Sequence, residues 1–212
     1  MDVISYANVV NADPTLKIPC GVPYPQQRIG EQGDEVVNMH GEMAEACRIG
    51  SMFYVSIMDT GKVTTIDLAG TYTGLCLSNP AGNNKKLVIR AVGHSIEAIG
   101  AAATSVFLAG GYSVAGVVTH TTPLVAGTDF GSLRLGGSEL PTALADSAAT
   151  IVNPRHLMVL GTTAATVGSQ QSVFSTGGAP VVLPGGWVAV TTSIVTAAAG
   201  IYIAFWWEEV PL

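Results

Sequence analysis

The feature that most constrains this chain is a long stretch without ionic side chains in its C-terminal half. From His156 to Trp207, 52 consecutive residues include no Asp, Glu, Lys or Arg. Over the whole chain only 11% of residues are charged, against roughly 25% in an average soluble domain. Because a free monomer needs surface charge to stay soluble, we expect much of this surface to be covered by other protein.

The last predicted strand, Gly200–Glu208, sharpens this expectation because both of its faces are apolar. Alternate side chains of a strand point to opposite faces. One face carries Ile201, Ile203, Phe205 and Trp207, and the other carries Tyr202, Ala204 and Trp206. A sandwich core covers one face only, and a large exposed apolar patch usually marks an interaction site. The alternative is a central strand in a thick single-chain core, with loops over the second face. We predict an oligomer interface formed by Tyr202, Ala204, Trp206, Trp207 and Trp187.

Residue composition predicts a mainly β fold from residue 51 onward. Short segments rich in Val, Ile, Thr and aromatic residues alternate with turns rich in Gly, Pro and Asn. Many short strands without intervening helices argue for an antiparallel β-sandwich or jelly roll over residues 51–212. The predicted strands are Met52–Met58, Val63–Leu68, Thr73–Ser78, Lys86–Ile96, Ser105–Ala109, Leu133–Leu135, Leu157–Leu160, Pro180–Leu183, Trp187–Thr192 and Gly200–Glu208.

Residues 1–50 are predicted to form an extended N-terminal arm followed by one short helix. Four prolines fall within residues 1–33, and proline disfavours both helix and central strand. Apolar residues at helical spacing predict a helix over about residues 34–49, with Asp34 as its cap and Gly50 as its left-handed stop. The first ten residues lack a basic region before a long apolar stretch, so we expect no signal peptide.

Charge and hydropathy argue against two classes of partner. The net charge is −6 and no basic stripe is present, whereas phosphate contacts need clustered Lys and Arg. We therefore expect no nucleic-acid binding. The 20 residues Ile99–Val118 are uncharged and long enough for a membrane span. Gly110-Gly111 divides them into two strand-length pieces, and they lack flanking basic residues and an aromatic belt, so we expect no membrane insertion.

No residues stand at catalytic or metal-binding spacing. The sequence contains no phosphate loop and no nucleophile elbow. Glu208 and Glu209 are adjacent, so a strand would point them to opposite faces. The odd number of cysteines predicts free thiols in a reducing compartment; they are Cys20, Cys47 and Cys76. The histidines are expected to be ordinary surface or interface residues; they are His40, His94, His120 and His156. We expect no enzyme, cofactor, metal or small-molecule substrate.

Several segments resemble structural proteins of tailed bacteriophages, and the resemblance covers roughly Ser51–Leu212. In residues 73–90 a strand ends in an Asn-Pro-Ala-Gly turn and a second strand returns. Leu183–Val188 and Phe205–Pro211 are similar to late strands of such proteins. The resemblance implies a jelly-roll coat component, most similar to capsid cement or decoration proteins.

The resemblance also implies expectations about partners and location. A cement subunit packs against itself, commonly as a homotrimer, and against the major capsid protein on the outer capsid surface of the virion. It is made in the host bacterial cytoplasm. A first alternative is a tail-tip or receptor-binding protein, in which Trp187, Trp206 and Trp207 would bind carbohydrate. A second alternative is a virion-associated glycan esterase or lyase, which would need converging acid and base groups.

Overall fold

Strands dominate the part of the chain that the structure describes. This computed structural model describes residues 43–57, 70–96, 104–115, 119–163, 171–193 and 201–212. The one helix among these residues is α1, Ala44–Arg48. The strands are β1 Met52–Ser56, β2 Gly70–Ser78, β3 Lys85–Ile96, β4 Thr104–Tyr112, β5 Thr119–Pro123, β6 Phe130–Ser132, β7 Leu144–Ile151, β8 Arg155–Thr163, β9 Gln171–Ser175, β10 Val181–Val182, β11 Gly186–Thr192 and β12 Ile201–Pro211.

The strands form two antiparallel sheets of six strands each. The first sheet has the order β10-β3-β12-β1-β6, and β9 also pairs with β3. The second sheet has the order β5-β7-β2-β11-β4-β8. The central strands of both sheets are apolar on the face that meets the other sheet, because alternate side chains point inward, whereas the edge strand β5 is exposed throughout. The predicted mainly β, antiparallel sandwich is therefore confirmed.

Eight of the strands follow the order of a jelly roll, which consists of two Greek keys. The first sheet contains β1-β12-β3-β9 and the second contains β2-β11-β4-β8. The three strands β5, β6 and β7 form an insertion between β4 and β8. They widen both sheets on one side, because β6 pairs with β1 and β7 pairs with β2. On the opposite side, β8 and the pair β9 and β10 form the sheet edges.

The main core lies between the two sheets and is built around aromatic residues of β12. Phe205 and Trp207 are fully buried there. The Trp207 ring lies 5.9 Å from that of Phe53 and 6.4 Å from that of Phe130, measured between centroids. Complete burial of a large apolar side chain stabilises a fold by roughly 1.5–3 kcal/mol, so these residues are a main source of the sandwich's stability.

The second sheet also buries side chains on its outer face. Gly74, with φ of +132°, lies in a bulge of β2. The Tyr72 hydroxyl donates to the Val190 carbonyl oxygen at 2.6 Å. This hydrogen bond ties the bulged part of β2 to β11. We call the resulting buried set the outer cluster; it consists of Tyr72, Cys76, Ala109, Ala149, Ile151, Trp187 and Ala189.

The end of α1 confirms the predicted helix stop. Gly50 has φ of +77°, which an L side chain rarely adopts. The backbone N–H of Gly50 donates to Cys47 O at 3.1 Å, and that of Ser51 donates to Ala46 O at 2.9 Å. This pair of bonds is the Schellman motif. The rest of the predicted helix, the arm of residues 1–33 and the predicted strand Val63–Leu68 lie outside the described residues.

One predicted strand was wrong and four of the described strands were not predicted. Leu133–Leu135 forms a turn, closed by a 2.9 Å bond from Gly137 N to Arg134 O, and the strand β6 precedes it. The unpredicted strands are β5, β6, β7 and β9. In the described part of the chain, no helix has the length and apolar character needed to cross a membrane. Residues 104–112 of the long uncharged segment instead form β4.

Candidate subunit interface

The last strand, β12, lies in the middle of the first sheet, between β3 and β1. Its side chains alternate between buried and half-buried along the strand, as the sequence predicts. Ile201, Ile203, Phe205 and Trp207 point into the core and are at most 1% exposed. The opposite side chains are half-buried, so the second face is neither fully enclosed nor fully open. We call Tyr202, Ala204 and Trp206 the β12 face.

Two residues of the predicted interface are core residues of their own subunit. Trp207 is 0% exposed and Trp187 is 1% exposed. The indole N–H of Trp187 donates to the Val152 carbonyl at 2.9 Å, which fixes this ring in the outer cluster. Neither ring can reach a neighbouring subunit without leaving the core. Trp187 and Trp207 are therefore core residues and not part of the predicted interface. The residues of that prediction that face outward are those of the β12 face.

The β12 face is partly covered by its own sheet. The Trp206 ring lies against Gly93 of β3, where a Cβ atom would stand 3.0 Å from its Cζ3. Tyr202 and Ala204 line a shallow groove of about 420 Å³ with Ser56 and Val173. A groove with an apolar floor and a few hydroxyl groups fits contact with a protein surface better than contact with water.

A more exposed apolar surface lies at the edge of the sandwich formed by β8 and β10. It surrounds a groove of about 730 Å³. The exposed fractions are 51% for Tyr112, 48% for Leu157, 48% for Val181 and 49% for Leu183. Arg155 is the sole charged residue among the described residues that line it. We call Tyr112, Leu157, Val181 and Leu183 the edge groove.

The residues beside the edge groove are apolar as well. Met158, Val159 and Val173 are all exposed, on β8 and β9. Apart from Tyr112, every apolar residue of this surface belongs to the uncharged stretch 156–207. The sequence identified the strand at Leu157–Leu160 but did not place it at a sheet edge, because that position depends on pairing with distant β4. The low charge was the available signal for this surface.

Glu208 and Glu209 point apart, as expected, and each has a cationic partner. Glu208 pairs with Arg90, while Lys85 Nζ lies 3.0 Å from Glu209 Oε2. The Glu209 carboxylate, whose side chain is 0% exposed, also accepts bonds from Thr142 N at 2.7 Å and Ala143 N at 3.0 Å. These bonds tie the end of β12 to the start of β7, which is a structural role. The two carboxylates do not converge on a common site.

A histidine paired with a buried aspartate lies where β5 meets β7. His120 Nδ1 and Asp146 Oδ2 are 2.7 Å apart, and the Asp146 side chain is fully buried. Burial raises the pKa of Asp146, and the interaction with His120 partly opposes that rise. Burial and the nearby Asp146 charge raise the pKa of Cys76 well above its usual range. Cys76 is therefore a buried neutral thiol and offers the pair no accessible nucleophile.

The other described histidines occupy two different environments. His156 is exposed and stacks on Phe107 with a centroid distance of 4.5 Å, consistent with a surface residue. His94 is only 5% exposed, so its expected surface position is wrong. The remaining histidine, His40, lies outside the described residues. Among the residues that the structure describes, no three His, Cys, Asp or Glu side chains form a group able to hold a metal ion.

Comparison with known proteins found no match for this chain. The chain matches no protein-family model, no curated protein and no solved structure. What the geometry offers is a pair of apolar surfaces, the β12 face and the edge groove. Among the described charged residues, Arg155 lines the edge groove, while Lys85, Arg90, Glu208 and Glu209 form internal ion pairs.

Proposed function

We propose that this chain is a virion structural protein of a tailed bacteriophage, a capsid cement or decoration subunit that stabilises the head through subunit contacts. In this proposal it packs as a homotrimer against itself and against the major capsid protein, on the outer capsid surface. The edge groove is the observation that carries the proposal. Four half-exposed apolar side chains surround it, in a part of the chain that has almost no charge.

The energetic argument is that water is a poor environment for this surface. Complete burial of one Leu, Val or aromatic side chain is worth roughly 1.5–3 kcal/mol, so covering the exposed half of each contributes about half as much. Interface cores are depleted in charge and enriched in apolar and aromatic residues. The edge groove has this composition, and in the part of the chain that the structure describes Arg155 is its one charged lining residue.

The jelly-roll strand order is compatible with the proposal but does not select it. Jelly rolls serve in viral capsids, in lectins and in other proteins. The support for a coat subunit is the combination of this order with the uncharged stretch and the resemblance of residues 51–212 to phage structural proteins. The acidic net charge of −6 fits a position away from packaged DNA.

The carbohydrate-binding alternative loses most of its aromatic residues. All three tryptophans are described by the structure: Trp187 and Trp207 are buried, and Trp206 is half-buried against Gly93. Tyr112, in the edge groove, is the exposed aromatic residue closest to what a sugar platform requires. One exposed ring makes a weak platform, so we favour the structural role.

Sedimentation of the purified full-length chain tests self-association. At micromolar concentration we expect an oligomer, with a trimer as the species implied by the cement role. Leu157→Glu places a charge in the edge groove and should raise the proportion of monomer. Leu135→Glu is the matched control, because Leu135 is 88% exposed on a turn outside the groove. A stable wild-type monomer would contradict the proposal.

Binding experiments separate the cement role from the receptor-binding role. We expect the wild-type chain to bind empty phage capsids and not host cells, and Leu157→Glu to reduce capsid binding more than Leu135→Glu does. Electron microscopy of virions carrying the labelled chain should place it on the head surface. Binding to host cells or a position at the tail tip would favour the alternative.

A further inference from the structure

His94 occupies an unusual place at one end of the sandwich. It lies on β3, with Ile203 of β12 and Ser172 of β9 as its cross-strand neighbours. Its ring stacks on Phe174 with a centroid distance of 5.9 Å and an interplanar angle of 3°. From the opposite sheet Gly161 of β8 approaches it, since a Cβ atom there would stand 3.7 Å from the imidazole. The ring therefore contacts both edge strands, β8 and β9.

The described surroundings of the imidazole hold no anionic group. Its Nδ1 atom is buried and has no hydrogen-bond partner among the described residues. Ser172, Phe174, Ile203 and Gly161 are not ionisable, and all four belong to the uncharged stretch 156–207. A protonated ring would place an N–H donor at Nδ1 and a positive charge in this setting, which costs free energy because no described acceptor or carboxylate compensates them.

Ionisable groups on the surrounding strands do not change this conclusion. Those of β3 and β8 are cations or histidine, which would repel an imidazolium. Glu208 and Glu209 are paired with Arg90 and Lys85. The ionisable residues on β3, β8, β9 and β12 are Lys85, Lys86, Arg90, Arg155, His156, Tyr202, Glu208 and Glu209. Tyr202 belongs to the outward face of β12, opposite to His94.

Because no carboxylate among the described residues faces His94, we propose that its protonation loosens β8 and β9 from the sandwich, so that His94 makes this edge of the subunit sensitive to mild acid. β9 is only five residues long and, among the described strands, pairs with β3 alone. A short edge strand with one neighbour is a segment that can open without unfolding the whole domain.

The sign of the pH effect follows from burial. Burial lowers the pKa of His94 below its ordinary value of 6.5. The open state therefore binds a proton more readily than the closed state. The closed edge has its full stability above pH 6.5 and loses stability as the pH falls below it. The largest slope for one such group is about tenfold in the opening equilibrium per pH unit.

This inference bears on assembly, and that part rests on the proposed function. Leu157 and Val159 of β8 and Val173 of β9 belong to the apolar surface at this edge. Opening of these strands would disorder the surface on which a neighbouring subunit is proposed to pack. Mild acid would then weaken subunit contacts on the β8 side.

Hydrogen–deuterium exchange of the full-length chain tests the local effect. Protection factors, corrected for the intrinsic exchange rate, are measured between pH 7.5 and 5.5 for peptides covering 155–163 and 171–175. We expect wild-type protection there to fall by up to about tenfold per pH unit below pH 6.5, while β2 and β11 stay protected. His94→Leu removes the titrating group and should abolish the pH response. His156→Gln, on the exposed end of β8, should retain it.

An unchanged pH response in His94→Leu, or no response in the wild type, would overturn the inference. If His94→Leu does not fold, the NMR titration of the wild-type His94 ring decides. A titration midpoint below 6.5 supports the inference, and a midpoint at or above 6.5 refutes it. Sedimentation at pH 7.5 is a separate measurement. A monomer at that pH contradicts the proposed function and does not affect the exchange experiment, which tests the role of His94 independently.

Discussion

Trp206 lies so close to Gly93 on the neighbouring strand that a single methyl group would not fit between them. A Cβ atom at residue 93 would stand 3.0 Å from Cζ3 and 3.1 Å from Cη2 of the indole. The large aromatic residue thus covers the backbone that the glycine leaves bare, a known way to stabilise glycine within a sheet. Gly93 weakens a strand because it has no side chain to pack, and Trp206 has a large apolar ring to cover. Their contact across β3 and β12 stabilises both residues.

Gly93→Ala should therefore destabilise the fold by about 1–3 kcal/mol, because the indole or the strand must move to admit the methyl group. Urea unfolding followed by fluorescence measures the change in the free energy of unfolding. Gly131→Ala on β6 is the matched control, since nothing lies within 4 Å of the Cβ position there. A cost at residue 93 equal to that at residue 131 would show that the contact is loose.

Replacement of Tyr72 by Phe tests how the outer cluster is held. The hydroxyl of this fully buried residue donates to the Val190 carbonyl at 2.6 Å, across to β11. Its loss leaves the carbonyl without that donor, and we expect a cost of about 1–2 kcal/mol in thermal or chemical unfolding. Tyr54→Phe, on the half-buried side of β1, should change stability by much less. Equal effects would refute the role given to the Tyr72 bond.

Glu209→Ala should be among the most destabilising single changes outside the core. The variant would leave the N–H groups of Thr142 and Ala143 and the ammonium of Lys85 without their shared acceptor. We expect a loss of about 3–5 kcal/mol, as for other broken buried ion pairs. Glu208→Ala, which removes a less buried pair with Arg90, should cost about 1 kcal/mol. Calorimetry on both variants gives the comparison, and the reverse order would be a clear contradiction.

The buried Asp146 gives a pH dependence of known sign. Burial raises its pKa above the ordinary value of 3.8, so the folded state holds the proton more tightly than the unfolded state. Stability from this group is therefore full below pH 3.8 and declines as the pH rises through the raised pKa. Asp146→Asn cannot ionise, so its stability relative to the wild type should increase between pH 4 and pH 7.

Denaturant unfolding of both proteins at several pH values measures that difference. Asp129→Asn, at a turn where the carboxylate accepts a bond from Val125 N, is measured beside it as a second aspartate variant. A difference between Asp146→Asn and the wild type that stays constant from pH 4 to pH 7 would rule out a raised pKa.

The sequence predicted the strands whose own residues favour a sheet. Segments such as Lys86–Ile96 and Trp187–Thr192 are rich in Val, Ile and aromatic residues, and both are strands within about one residue of the predicted bounds. The strand β7 was missed because its sequence, LADSAATI, is rich in alanine and contains Asp146. A small residue is needed there because Ala149 is itself a buried member of the crowded outer cluster. Packing across distant strands, which local propensity does not report, decided this segment.

Only part of the candidate interface was predicted, again because the burial of a residue depends on distant strands. Alternation along residues 201–207 follows from strand geometry, so the division of the last strand into two faces was correct. Whether a tryptophan on a face is covered by its own chain depends on which strands lie over it. Trp187 is enclosed by residues around Val152, 35 positions away, and no local pattern reveals that contact. The edge position of Leu157 likewise follows from the pairing of β8 with β4.

The insertion of β5, β6 and β7 makes the two flanks of the subunit unlike each other. These strands extend both sheets beyond β1 and β2, and they carry the polar and proline residues that discourage further strand addition. The β8 flank has no such extension. Among the described strands, β5 and β8 are therefore the two edges of the second sheet, and they differ in composition: β5 is polar, whereas the middle of β8 is apolar. In the proposed assembly this difference would orient each subunit, because its polar edge and its apolar edge are not interchangeable.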